Sequence, residues 1–117
     1  MQYLLLIYSS EKDYAALSES AAKALSADYT TYTQEIVKSG HFKGGERLRP
    51  VASATTVRVK NGKTLTTDGP FAETREQLGG FYMVEAKDLD EAISLAARIP
   101  GARHGSIEVR PIWPIMG

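Results

Sequence analysis

Along this chain the spacing of hydrophobic positions changes several times, and each change marks an element. Residues 3–8 (Tyr-Leu-Leu-Leu-Ile-Tyr) form an unbroken apolar run. Its length suits a strand, and alternate side chains of a strand point to opposite faces. The run therefore predicts a central strand covered on both sides. From residue 14 to residue 39 the period becomes helical: Leu17, Ala21, Leu25, Tyr29, Tyr32 and Ile36 fall three or four apart, and Gly40 closes the stripe. The cluster Thr30, Thr31 and Thr33 lowers helix propensity, so a break is expected near residues 26–28.

Residues 41–48 read as a short strand weakened by Gly44 and Gly45, with a bulge or an edge position expected. Asn61-Gly62 between two strand-like runs predicts a type I′ hairpin over residues 55–67. A two-residue loop would pair Arg58 with Leu65, and Val57 and Val59 with Thr66 and Thr64, unless a bulge shifts that register. Asp68-Gly69-Pro70-Phe71 is a turn by composition, and residues 72–77 suit one helical turn. Residues 80–86 are a strand. Asp88 then caps a helix, with Glu91 returning the capping bond and Leu89, Ala92, Ile93, Ala96 and Ala97 as its inner face. Pro100-Gly101 stops it, residues 106–110 alternate as a last strand, and an apolar tail follows (Ile112, Trp113, Ile115, Met116).

The order is β-α-β, hairpin, β-α-β. Two split β-α-β units predict an α+β, ferredoxin-like sandwich with an inserted β-hairpin, in a single domain spanning residues 1–117. Right-handed crossovers put both helices on one face of the sheet. Nothing remains to cover the other face, although the first strand is apolar on both sides. A homodimer with its sheets packed face to face resolves that conflict.

Composition narrows the function classes. Fourteen Lys and Arg balance fourteen Asp and Glu, which argues against nucleic acid or a basic membrane surface as partner. There is no cysteine, so disulfides, thiolate chemistry and Cys-based metal sites are excluded. The two histidines, His41 and His104, lack metal-ligand spacing, and no metal site or cofactor is expected. No apolar run is long enough to span a membrane. The N-terminus lacks the basic region and cleavage site of a signal peptide, so a cytoplasmic protein is expected.

Several residues are candidates for chemistry, each beside a plainer role. Asp68 is a general acid or base, or an Asx-turn residue whose carboxylate accepts backbone N–H groups. Glu73 shares a proton with Asp68, or caps the turn or pairs with Arg75. Tyr29 and Tyr32 present hydroxyls to a cleft, or pack in the core. His41 takes part in protonation, or sits as a dipole partner at a helix C-terminus. Arg58 binds an anionic ligand, or is a solvated charge on the hairpin. His104 reads as a surface residue.

The segment Asp68-Gly69-Pro70-Phe71-Ala72-Glu73-Thr74, with Gly44-Gly45-Glu46, Glu76 to Phe81, Ala96 to Pro100 and Ile107 to Pro111, resembles the YCII-related family in its DGPF-containing branch. The likeness runs nearly end to end. It implies a ferredoxin-like domain assembled as a dimeric α/β barrel. Shorter members of that family are thought to pair a loop Asp with a His on the first helix. By spacing from Gly40 that position falls near Tyr29, and the first helix holds no histidine. The branch is also often encoded beside alternative sigma factors. Two functions are therefore carried forward. One is a protein that binds an unknown small molecule, extending to cofactor-free acid/base catalysis on a small polar or aromatic compound. The other is a non-catalytic interaction module linked to transcription through protein contacts.

Overall fold

In the computed structural model, which describes residues 1–115, the first strand is the pivot of the sheet. β1 (Gln2–Ser9) is followed by a short helix α1 (Glu11–Ala15), a long helix α2 (Glu19–Lys38) and β2 (Phe42–Arg47). A 3₁₀ turn at Val51–Ser53 leads to the hairpin strands β3 (Thr55–Lys60) and β4 (Lys63–Asp68). β5 (Gln77–Glu85), α3 (Leu89–Ala97), a second 3₁₀ turn (Pro100–Arg103) and β6 (Ser106–Pro111) complete the chain. The main sheet has the order β2-β5-β1-β6, and every neighbouring pair is antiparallel. This is the expected split β-α-β arrangement. Among the described residues, no helix is long and apolar enough to cross a membrane.

The helical stripe holds from Ala21 to Ile36, but Leu17, 40% exposed, lies outside it, and the break is not at residues 26–28. It falls at Ala16–Ser18, where Ser18 caps α2 by accepting the Ala21 N–H at 3.1 Å, and Ser10 caps α1 through the Asp13 N–H. The threonines stay helical because two of their hydroxyls find partners one turn back: Thr30 Oγ1 donates to the Ser26 carbonyl and Thr33 Oγ1 to that of Tyr29. Asn61 (φ 53°) and Gly62 (φ 76°) both take left-handed backbone, as a type I′ turn requires. The register is the strict one, Arg58 opposite Leu65, with no bulge. β2 is an edge strand, and its ladder shifts between Phe42 and Gly44.

Residues 72–77 do not form a helical turn. Thr74 instead ties the loop, its hydroxyl donating to the Glu76 carbonyl and its own carbonyl accepting from Gln77 Nε2. Gln77 then accepts the Glu11 N–H and so belongs to the sheet rim. The inner face of α3 is also rotated from expectation. Ala92, Leu95 and Ala96 are buried, whereas Leu89 and Ile93 are each 49% exposed. The buried stripe is the one that continues into Ile99 and Pro100. At the helix start Asp88 accepts the Glu91 N–H, but Glu91 returns its bond to Lys87 rather than to Asp88.

The core lies on the helix side of the sheet: Tyr3, Leu5, Tyr82 and Val84 from the strands meet Tyr32, Ile36, Ala92, Leu95 and Ile99. Four tyrosines pack in it: the Tyr3 hydroxyl donates to Met1 Sδ at 3.5 Å, and the other three find oxygen or nitrogen partners. The Tyr32 hydroxyl donates to the Leu95 carbonyl at 2.8 Å, Tyr82 shares a hydrogen bond with Thr33 at 2.6 Å, and the Gly101 N–H donates to the Tyr29 hydroxyl at 3.1 Å. The Tyr32 and Tyr82 rings meet edge to face at 5.3 Å. Burial holds all three phenols above their ordinary value, because a phenolate would lose its hydration. The folded state thus keeps protons that the unfolded chain releases near pH 10. This stabilisation is complete below pH 10 and is lost as pH rises through the folded values. Following phenolate absorbance of the six tyrosines, we expect three to ionise late, together with alkaline unfolding. Six phenols titrating alike in the native protein would contradict this packing.

Candidate functional site

The sheet has one finished face and one open face. Opposite the helices, β1 presents Leu4, Leu6 and Tyr8. β5 sets Met83 beside Leu4, Phe81 beside Leu6 and Leu78 beside Tyr8. These six side chains are half-buried. A register shift between Ile7 and Tyr8 puts Leu78 on this side, where strict alternation from Phe81 would have turned it to the helices. Glu46 and Glu108 stand beside the patch on the two outer strands, and Arg110 faces Glu108 at 3.7 Å. The molecule is a slab, with principal extents of 48 × 46 × 19 Å, and among the described residues no layer lies over this apolar face.

The candidate residues do not converge within one chain. Asp68 ends β4, opposite Thr55, and is exposed. Its carboxylate accepts no hydrogen bond among the described residues, so the expected Asx-turn is not formed. The following Gly69 takes φ 97° and donates to the Ala54 carbonyl at 2.7 Å, which closes the hairpin base through backbone alone. Glu73 is exposed and makes no ion pair with Arg75. Arg58 lies mid-hairpin without a carboxylate near it, among the described residues.

Tyr29 and Tyr32 take the core role. Their hydroxyls are engaged by Gly101 and Leu95 on the helix side, not by the Asp68 loop. At Gly101 a side chain would run into the Tyr29 hydroxyl and sit 3.3 Å from Ile7 Cγ2, so glycine is required for that contact. His41 does follow the C-terminus of α2. Its Nδ1 shares a hydrogen bond with Ser39 Oγ at 2.7 Å, and its Nε2 lies 3.3 Å from Glu91 Oε1. The Lys87 N–H, and secondarily His41, hold the Glu91 carboxyl below its usual value. His41 thus joins α2 to α3, away from the open face.

Two hollows remain. One, between α2 and α3, is bridged by the ion pairs Arg98–Glu35 (3.4 Å) and Arg103–Asp28 (2.9 Å). Those pairs use up its charges. The other is a cleft of about 890 Å³ at the sheet rim, lined by Lys12, Arg75, Glu76, Gln77 and His104 among others. His104 is exposed as expected, but it faces this cleft. No motif in the sequence pointed there, because the loops before β5 and β6 meet only through the strand order. Glu76 is fixed by the Ser106 hydroxyl at 2.9 Å, and Glu11 by the Val51 N–H.

The sequence matches the YCII-related domain over residues 1–116. It is 38% identical over 114 residues to an uncharacterised protein of Rhizobium meliloti (strain 1021), covering 96% of this chain and 92% of that protein. In three dimensions the fold is similar to 5-chloro-2-hydroxyhydroquinone dehydrochlorinase from Burkholderia phenoliruptrix AC1100, solved with 2,5-dihydroxybenzoquinone. The TM-score is 0.56 at 14% identity, over 97% of this chain and 94% of the other.

Tyr29→Phe tests the core assignment. It leaves the ring packing intact but removes the acceptor for the Gly101 N–H, and should cost about 1 kcal/mol in denaturant unfolding. An unchanged midpoint would mean that water replaces the hydroxyl and that Tyr29 is not needed there.

Proposed function

The chain belongs to the YCII-related family, and from that premise we propose that it is a cytoplasmic homodimer that binds a small hydroxylated aromatic molecule and moves protons on it. The observation that carries this reading is the open sheet face. Leu4, Leu6, Tyr8, Leu78, Phe81 and Met83 form an apolar surface on a single chain, and a second copy packed face to face would close the dimeric barrel over it. A cavity between two such faces is apolar, with aromatic walls from Tyr8 and Phe81, and suits a planar ring. The fold's likeness to a protein solved with 2,5-dihydroxybenzoquinone supports that ligand class.

Asp68 supplies the acid/base group in this reading. It belongs to the stretch Asp68-Gly69-Pro70-Phe71 that marks the DGPF branch, and its carboxylate is committed to no hydrogen bond among the described residues. It can take a proton from a ligand hydroxyl and return it, without a cofactor. Glu73, in the same loop, is a second uncommitted carboxylate. Phe71, 80% exposed in one chain, would be covered when the loop meets a ligand or the partner.

The experiment is a thermal-shift titration with 2,5-dihydroxybenzoquinone, beside sedimentation of the free protein. We expect twice the chain mass at micromolar concentration. We also expect about 2.7 kcal/mol of stabilisation when the ligand reaches 100 times its dissociation constant. Asp68→Asn removes an exposed carboxylate without partners, so stability should move by less than about 0.5 kcal/mol while binding weakens. A monomer throughout the dilution series, or an Asp68→Asn protein that binds as well as the original, would overturn the corresponding half of the reading. If no hydroxylated aromatic binds, the non-catalytic interaction module takes its place.

A further inference from the structure

The hairpin β3–β4 stands away from the rest of the chain. Eleven of its twelve strand residues are exposed, including Val57 at 59%, Val59 at 70% and Leu65 at 47%. A lone two-stranded ribbon is at best marginally stable in water, so a well-formed one needs a surface to lie on. The radius of gyration, 16.3 Å, reflects the overhang, since a compact chain of this length is expected near 13 Å.

The two faces of the ribbon differ in chemistry. The strand pairing puts Arg58, Lys60 and Lys63 on one face, with Leu65 the single large apolar residue among them. The other holds Val57 and Val59 with Thr55, Thr64 and Thr66, and its only charge is Asp68 at the base. A face with three unpaired cations belongs in water, and the Val and Thr face is the one fit to be covered. The slab is only 19 Å thick, so the ribbon runs beside the sheet rather than over its own open face. A second slab stacked on that open face would bring its own sheet under the overhanging ribbon.

We propose that the β3–β4 ribbon is an arm that lies across a second copy of this chain, Val57 and Val59 inward, with Asp68, on the same face at its root, turned toward the seam between the two sheets. The proposal rests on the dimeric reading above and names the element that completes it. Each arm offers about 20 Å by 10 Å of surface from its strand geometry. Two arms together with the surfaces they cover would supply about 800 Å² of the ~1,200 Å² that a stable interface needs. The open faces of the sheets would supply the rest. One chain holds an incomplete site on this view, because Asp68, at the root of the arm, borders a closed cavity only when the sheet of the second copy is in place.

The absence of cysteine permits a direct test. Lys60→Cys carries a nitroxide in one population, which is mixed and exchanged with nitrogen-15-labelled wild-type chain. Lys60 is exposed and lies on the face turned to water, so the label leaves the fold and the docked face intact. We expect the labelled chain to lose amide intensity in β1, β5 and β6. A dimer without broadening there, or with broadening confined to the other arm, overturns arm docking. A monomer overturns both docking and the dimer. A double variant, Val57→Lys with Val59→Lys, should weaken the dimer about tenfold or more; an unchanged dimer constant counts against the arm. The same nitroxide measurement on Asp68→Asn reads docking whatever Asp68 does chemically, so failure of the arm and failure of the acid/base role appear in different experiments.

Discussion

Two helices can cover only one side of a four-stranded sheet, and the central strand of this sheet is apolar on both. Most other features follow from that mismatch. Tyr3 and Leu5 are sealed beneath α2 and α3, whereas Leu4 and Leu6, one position away, lie half-buried between Met83 and Phe81 on one side and Arg110 and Glu108 on the other. Strand geometry leaves no alternative: successive side chains point to opposite faces, so a run of six apolar residues has apolar surface left over. The helix side shows what a finished face looks like, with every buried polar atom among the described residues partnered.

The tyrosines illustrate how that finished side tolerates polar tips. Tyr29, Tyr32 and Tyr82 fill the positions where sheet and helices meet, and each hydroxyl finds a partner within reach: a backbone N–H, a carbonyl, a threonine. A phenol adds ring area to the core and a hydrogen bond at its margin. Such a residue looks out of place on an apolar stripe only while the partner is unknown. All three partners lie far away in sequence, on elements that only the fold brings near.

The legible parts of the sequence were those governed by short-range rules. Asn61-Gly62 placed the hairpin, because positive φ at both positions leaves few other turns, whereas its register stayed open between the strict pairing and a bulge. Asp88 marked the start of α3, and the period of Leu25, Tyr29, Tyr32 and Ile36 gave the buried face of α2. One error was local and the others arose where the deciding contact was distant. The helix break went to the Ser18 cap instead of the threonine cluster, because hydroxyl bonds within the helix keep Thr30 and Thr33 in place. Leu89 and Ile93 looked as apolar as Leu95, and only docking on the sheet shows which stripe turns inward. At the site, the sequence singled out Asp68 and its loop, but not that the loop roots a free-standing ribbon. The cleft near Arg75 and His104 was likewise invisible, since its walls come from three separate stretches of chain.

The strand order also sets a timetable for folding. Tyr3 pairs with Val84 on one edge of β1 and with Pro111 on the other, so both neighbours of the first strand come from the last third of the chain. As the polypeptide leaves the ribosome, β1 emerges with two unpaired edges and two apolar faces. α2 can form behind it from local contacts, but the ladder waits for β5, and the sheet is complete only once β6 is made. Pairings this distant are slow to close, and an unpaired apolar strand is a template for pairing with the wrong chain. The strand synthesised first is the last to be enclosed, and for most of its synthesis the nascent chain depends on whatever shields Leu4, Leu5 and Leu6 from their counterparts on other chains.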